Sequence, residues 1–143
     1  MGTMVEIHPD GLERCQDVWD FGEKTERLRL EMAEGRRRMF VWEENGVFCG
    51  GGSLVLENGD RERTIPQKRA YFSYFSVKQE FRSRGIGSAL IDYAEQRARE
   101  SGITELTIQV ECKNERAKRL YERKGFCVSV RDTPDAVLLL KKT

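Results

Sequence analysis

The strongest constraint on the fold is an apolar segment that leads into a glycine-containing turn and then an amphipathic helix. Residues 70–77 are rich in aromatic side chains and carry no charge, which is typical of a central strand. From Ile86 onward apolar residues recur at helical spacing, until Gly102 favours a helix end. This order predicts an α/β unit, in which parallel strands are joined by right-handed crossovers.

The turn at residues 82–88 is a candidate anion site. The first amides of a helix have no acceptor inside the helix, and the helix dipole adds positive potential there. Gly85 and Gly87 lack Cβ atoms and allow close approach of phosphate oxygens, while Arg82 and Arg84 add charge. No Gly-Lys-Ser/Thr follows and only two glycines occur, which disfavours an ATP loop and a dinucleotide fingerprint. From glycine spacing alone, the alternative stays open that this segment is a connection that begins a helix and binds no ligand.

The rest of the chain predicts strands and helices on both sides of this unit. Before it we expect a strand at 4–7, two helices within 12–34, and strands at 39–42 and 47–56 joined by an Asn-Gly turn. After it we expect a strand at 106–110, a helix at 114–124, and strands at 126–130 and 136–140. Glycines at 50–52 predict a bulge, or close packing against the backbone. The fold class is mixed α/β.

Composition limits the classes of function. The 143 residues, 38% of them hydrophobic, predict one domain over 1–143. Lys plus Arg number 25 against 24 for Asp plus Glu, so the net charge of +1 gives no field that favours nucleic acid. No apolar run approaches the roughly 20 residues of a membrane span. We therefore expect no membrane association, no signal peptide and a cytoplasmic location.

Metal binding is not indicated either. The four cysteines lack the short spacings of metal and redox motifs, and the single histidine, His8, has no evident partners. We interpret the cysteines as free thiols and expect no metal.

Two sequence motifs resemble the GCN5-related N-acetyltransferase (GNAT) family. Residues 82–87, Arg-Ser-Arg-Gly-Ile-Gly, match its Arg/Gln-x-x-Gly-x-Gly/Ala signature. Residues 114–126 match its Asn-x-x-Ala-x-x-Leu-Tyr-x-x-x-Gly-Phe segment, at the usual separation from the first motif. The resemblance implies a sheet of about seven strands flanked by about four helices, with a splayed parallel pair at strands 4 and 5.

The resemblance also implies an acetyl-CoA site. The turn amides would hold the pyrophosphate, and the pantetheine arm would enter between strands 4 and 5 and pair with main-chain groups of Phe75 and Val77. Asn114 matches a residue that contacts the cofactor arm, although a simple helix N-cap fits it equally well. The expected cofactor-binding residues are Phe75, Val77, Arg82, Ser83, Arg84, Gly85, Ile86, Gly87, Ser88 and Asn114.

For catalysis, the resemblance implies direct attack of an amine on the acetyl carbonyl, which a backbone amide near Phe75 or Val77 polarises. Tyr121 matches the tyrosine that protonates the leaving thiolate; a core tyrosine is the alternative. Strand 70–77 holds no carboxylate, so no base transfers from the family. Glu111 is our candidate base, with direct loss of the proton to water as the alternative.

The acceptor is less constrained. Family members differ mostly in two loops, here residues 19–23 and 131–135, which carry carboxylates and, in the first, two aromatics. They favour a cationic amine, a small molecule or a lysine side chain, although ordinary loop polarity explains them as well. A non-catalytic acyl-CoA-binding sensor or partner subunit, and more remotely a nucleotide-binding regulator, remain alternatives. A homodimer is left open.

Overall fold

The computed structural model describes residues 2–16 and 18–143. Within these residues it forms one seven-stranded sheet with the order β1-β2-β3-β4-β5-β7-β6. The strands are β1 (Thr3–Ile7), β2 (Arg37–Glu44), β3 (Val47–Val55), β4 (Arg69–Val77), β5 (Glu105–Glu111), β6 (Val128–Asp132) and β7 (Ala136–Lys142). The α-helices are α1 (Thr25–Ala33), α2 (Ile86–Glu100) and α3 (Glu115–Arg123), and short 3-10 helices cover Pro9–Cys15, Gly22–Lys24 and Gln79–Phe81.

The predicted mixed α/β class is confirmed, with one difference in the first helical segment. Of the two helices expected within 12–34, the second is α1, whereas the first is the 3-10 helix at Pro9–Cys15. Seven residues that begin with proline and include Gly11 are too few to sustain a stable α-helix. A 3-10 turn places residues three apart on one side, and it buries Leu12 and Cys15 together.

The parallel pair of strands at the centre of the sheet opens at one end. β4 and β5 are the parallel neighbours, and their pairing runs from Arg69 with Glu105 to Phe72 with Ile108. The other neighbouring strands are antiparallel. β4 continues to Val77, so its last five residues extend beyond the paired part. The predicted splay between strands 4 and 5 is confirmed.

A β-bulge lies on this splayed part of β4. Ser73 lies opposite Ser53 and Ser76 lies opposite Gly51, so β4 carries one residue more than β3 over the same interval. Tyr74 takes up the irregularity with a left-handed φ of 52°. The bulge and the close packing predicted from the glycines of β3 are both present, since the register shift falls at these glycines.

The two faces of the sheet carry separate hydrophobic clusters. Phe40 and Phe72 pack with residues of α2 such as Leu90 on one face. Met39 and Leu28 belong to the cluster on the other face, formed with α1 and the segment before it. Neighbouring residues of a strand point to opposite faces, which explains why Met39 and Phe40 belong to different clusters. The sheet is therefore covered on both sides.

Candidate active site

A cleft of about 440 Å³ lies where the splayed end of β4 meets the beginning of α2 and the length of α3. Its walls combine main-chain groups of the turn before α2 with side chains of α3. It is lined by Phe75, Ser76, Val77, Phe81, Arg82, Ser83, Gly85, Ile86, Gly87, Ser88, Asn114, Arg116, Ala117, Arg119, Leu120, Tyr121 and Arg123.

The predicted anion turn has the backbone expected of an open helix N-terminus. Ser83 and Gly85 both have left-handed backbones, with φ of 64° and 83°, and α2 begins directly afterwards at Ile86. The Ala89 amide donates to the Gly85 carbonyl at 3.1 Å, which is the first turn of the helix. The amides that precede Ala89 therefore have no acceptor within the helix, and their residues line the cleft.

Gly87 allows β4 and α3 to approach the helix closely. A Cβ atom at this position would lie 3.0 Å from Cζ of Phe75 and 3.4 Å from Cδ2 of Leu120. Both side chains line the cleft, so a larger residue at position 87 would push against its walls. The glycine of the motif is thus required by packing as well as by access to the amides.

The two arginines of the turn have different partners. Arg82 lines the cleft and donates from Nε to the Val77 carbonyl at 3.0 Å. Arg84 does not line it; its guanidinium donates to Glu44 at 3.0 Å and lies over the Phe81 ring. The prediction that Arg84 contacts phosphate therefore has no support from its side-chain position.

Three further arginines line the cleft from α3, and the sequence reasoning missed them. Arg116, Arg119 and Arg123 are spaced at i, i+3 and i+7, so they share one face of the helix. Arg116 also donates from Nη2 to the Ser83 hydroxyl at 2.8 Å, which joins α3 to the anion turn. That spacing was visible in the sequence, and it is the signal that could have identified this basic face.

Asn114 has the capping role that the sequence left open. Its side-chain oxygen accepts a hydrogen bond from the Ala117 amide at 3.0 Å, as the N-cap of α3. It also lines the cleft. Its contact with a cofactor stays a prediction.

Tyr121 is both a core residue and a residue of the cleft. Only 5% of it is exposed, and its ring packs edge-on against Phe75 and Phe126 at centroid distances of 5.9 and 6.3 Å. Burial, with a smaller contribution from Tyr71, raises the pKa of Tyr121 to about 12. The phenol therefore keeps its proton at neutral pH, as an acid must before it donates.

The candidate base lies outside this constellation. Glu111 is exposed at the end of β5, opposite Ala136 in the register, and it does not line the cleft. Cys112 beside it is half-buried, with its thiol 3.8 Å from the Thr133 carbonyl, and it does not line the cleft either. No acidic side chain lines the cleft within the described residues.

The two aromatics of the first predicted acceptor loop are core residues. Trp19 and Phe21 are each 7% exposed and stack on one another, and the Phe21 ring packs edge-on against Tyr74. The loop carboxylates Asp20 and Glu23 are exposed. In the second loop Arg131 pairs with acidic residues of the segment before β4. The burial of Trp19 and Phe21 removes the aromatic surface that we expected a cationic acceptor to contact.

Two further properties concern the part of the chain that the structure covers. None of its helices combines the length and apolar character needed to cross a membrane. It also brings together no group of three His, Cys, Asp or Glu side chains suited to holding a metal ion.

Known proteins match this chain in sequence and in fold. The model of the acetyltransferase (GNAT) family matches residues 5–126. The N-alpha-acetyltransferase MAK3 of Arabidopsis thaliana is 37% identical over 75 residues, 52% of this chain and 38% of that protein. The chain spans between about a fifth and two fifths of the length of the first curated relatives it matches.

Solved structures share the fold of this chain over nearly its whole length. The PaiA N-acetyltransferase of Thermoplasma acidophilum, in complex with coenzyme A, has a TM-score of 0.79 and 20% identity, with 100% of this chain and 99% of that one covered. A GNAT acetyltransferase of Elizabethkingia anophelis with acetyl-CoA bound has a TM-score of 0.73 and 14% identity, with 99% and 98% covered. At these identities the likeness concerns the fold.

The opened parallel pair and the cleft beside it, together with the family match, define the class of protein as one with the GNAT fold. The chain belongs to the acetyltransferase (GNAT) family.

Proposed function

We propose that this chain, as a single domain over 1–143, transfers the acetyl group of acetyl-CoA to a primary amine by direct attack. The observation that carries the proposal is the cleft itself. Its one end offers the main-chain amides that begin α2, and its other wall offers the buried phenol of Tyr121. A coenzyme A thioester needs an anion-binding site for its phosphates and a proton donor for its departing thiolate, and the cleft offers candidates for both.

The residues of the cleft fit coenzyme A chemically. The amides of Ile86, Gly87 and Ser88 suit the pyrophosphate, because a helix N-terminus binds anions. The arginine face of α3 adds positive charge for the remaining phosphate, through Arg116 above all, since its guanidinium already contacts the turn. The splayed end of β4 provides main-chain groups for the pantetheine arm, although the Val77 carbonyl already accepts from Arg82.

The chemistry follows from this placement. The neutral amine forms a C–N bond to the acetyl carbon, and the carbonyl electrons move onto oxygen, where a β4 backbone amide near Phe75 stabilises the charge. When the carbonyl re-forms, the C–S bond breaks and its electron pair leaves on sulfur. Tyr121 donates its proton to that thiolate, and the proton lost by the amine, carried by water, restores the phenol.

A dedicated base is not required for this scheme. An amine that arrives in its neutral form has lost one proton to water, and the second proton leaves after attack. The role of Glu111, at the end of β5, as a base that acts through a water molecule stays a prediction.

The acceptor class remains a primary amine, either a small molecule or a peptide or lysine side chain. A relative named as an N-alpha-acetyltransferase supports the peptide possibility, although the identity covers 52% of this chain. The alternative function is a non-catalytic acyl-CoA-binding sensor or partner subunit. Retention of Tyr121 in the cleft favours the enzyme.

Thermal shift tests the cofactor. Acetyl-CoA should raise the melting temperature by mass action, whereas ATP and NAD should not. Absence of a shift with acetyl-CoA would contradict the proposal. Release of free coenzyme A over a panel of amines and amino-terminal peptides then separates enzyme from sensor: binding without acetylation of any member would favour the sensor.

A further inference from the structure

Among the described residues, the indole of Trp19 makes one polar contact, and it is with the bulge of β4. Nε1 donates to the main-chain carbonyl of Tyr74 at 2.6 Å. Trp19 is 7% exposed and lies in the cluster on the α1 face of the sheet. The Tyr74 carbonyl therefore points toward that face, away from the cleft.

This contact fixes the direction of the next amide. In a trans peptide the carbonyl of one residue and the N–H of the next point in opposite directions, and the described residues contain no cis peptide. The Phe75 N–H therefore points away from Trp19, toward the face where the Phe75 ring packs against Tyr121. That direction leads into the splay between β4 and β5, at the inner end of the cleft.

The sheet is built to admit the indole at this point. A Cβ atom at Gly51 would lie 2.5 Å from Cη2 of Trp19 and 2.6 Å from the Phe40 carbonyl. Because Gly51 has no side chain, the ring can reach the main chain of β4 across β3. One glycine of β3 and one tryptophan before α1 thus combine to hold a single peptide group of the bulge.

We propose that Trp19 is a positioning residue, whose indole N–H orients the peptide between Tyr74 and Phe75 so that the Phe75 amide meets the acetyl carbonyl. The inference rests on the proposed function and assigns to this chain the residue that holds its carbonyl-polarising amide. Without the indole donor the peptide can rotate, because the residues of a bulge lack the full set of ladder hydrogen bonds. Loss of the indole donor should therefore weaken the hydrogen bond to the acetyl carbonyl and lower the turnover number. Binding of the rest of coenzyme A should be unchanged.

The test is an infrared measurement on bound acetyl-CoA with a ¹³C-labelled acetyl carbonyl and no amine present. In the wild type the hydrogen bond should shift the thioester band to lower frequency than in solution. In Trp19→Phe the band should return toward the solution value, and kcat should fall by about tenfold or more while KM for acetyl-CoA changes by less than about threefold.

A second variant protects the test against loss of folding. Benzothienylalanine at position 19 keeps the bicyclic ring but replaces its N–H by sulfur, and it should reproduce both effects with an unchanged melting temperature. Trp42→Phe is the matched control, since it also removes an indole donor, here to the Glu44 carboxylate at 2.9 Å. Its thioester band should stay at the wild-type frequency.

The outcomes separate the two levels of the proposal. If the wild type binds acetyl-CoA and acetylates an amine, but the benzothienyl variant keeps the shifted band and the wild-type kcat, Trp19 only fills the core and the inference is wrong. If bound acetyl-CoA shows no shift in the wild type, the Phe75 amide does not contact the carbonyl, which also overturns it. If acetyl-CoA does not bind at all, the proposed function itself fails.

Discussion

The guanidinium of Arg84 lies 3.0 Å from the carboxylate of Glu44, which joins the end of β2 to the turn before α2. The hydrogen bond from Trp42, with the charge of Arg84, lowers the pKa of Glu44, so the carboxylate remains charged at neutral pH. Since Arg84 already has this partner, Arg84→Ala should change the dissociation constant for acetyl-CoA by less than about threefold. Arg116→Ala should raise it by roughly tenfold, because a charge-assisted hydrogen bond is worth about 1.5–3 kcal/mol.

Isothermal titration of both variants with acetyl-CoA measures the difference. A higher salt concentration should reduce the difference in dissociation constant between the two variants, because exposed charges are screened. A larger loss for Arg84→Ala than for Arg116→Ala would mean that the Glu44 pair opens to release Arg84 to the phosphate.

Gly87→Ala should weaken acetyl-CoA binding by at least about tenfold, because the added methyl group must displace Phe75 and Leu120, which line the cleft. The gain in helix propensity, about 1 kcal/mol, should offset part of the strain, so the melting temperature should change little. Titration and thermal unfolding measure the two effects separately. Gly11→Ala is the control: its Cβ would lie 3.8 Å from Ile7, an ordinary contact, and binding should be unaffected.

Tyr121→Phe should lower kcat by about a hundredfold, the lower range for loss of a general acid, and leave the affinity for acetyl-CoA nearly unchanged. The phenyl ring keeps the contacts with Phe75 and Phe126, so only the hydroxyl is tested. Tyr93→Phe removes a hydroxyl that donates to Glu6 on β1, and it should retain wild-type kcat. Equal kcat in wild type and Tyr121→Phe would leave Tyr121 with a role in packing alone.

The same tyrosine predicts a loss of stability in alkali. Its pKa is about 12 in the folded state against an ordinary value of 10.0, so from pH 10 to 12 the folded state binds more protons than the unfolded state. The free energy of unfolding should therefore fall as the pH rises through that interval, by about 1.4 kcal/mol per pH unit from this group. Urea unfolding should show a fall of about 1 kcal/mol more for the wild type than for Tyr121→Phe between pH 9 and 11.

Between pH 7 and 9 the two proteins should change in parallel, since the phenol is protonated in both the folded and the unfolded state. A parallel change between pH 9 and 11 as well would mean that the Tyr121 phenol ionises in the fold as readily as in solution.

Much of the fold could be predicted because its signals are local. An uncharged aromatic strand, a glycine turn and a helical apolar period identified β4, the anion turn and α2. The segment at Pro9–Cys15 was harder, because Leu12 and Cys15 are three apart and fit an α-helix and a 3-10 helix alike. The short length of this segment and its first residue, Pro9, decide between the two kinds of helix, whereas apolar spacing does not.

The site was predicted less completely because its contacts are long-range. The sequence could not show that Arg84 pairs with Glu44, forty residues away. It could not show that Trp19 donates to Tyr74, fifty-five residues along the chain. Its place in the turn favours Arg84 as a phosphate contact, and its place in a variable loop favours Trp19 as an acceptor contact, but neither position reveals the partner that the fold provides. The arginine face of α3, by contrast, could have been found from its helical spacing.

The extra residue in β4 also decides which side chains face the cleft. Before the bulge the even-numbered residues Ala70 and Phe72 belong to the cluster on the α2 face, and after it the odd-numbered Phe75 and Val77 do. Tyr74, even-numbered, packs with the opposite cluster. The bulge is therefore a parity switch: if the same sequence ran through this point in strict alternation, Phe75 and Val77 would turn toward α1, and Tyr74 and Ser76 would take their places on the cleft face.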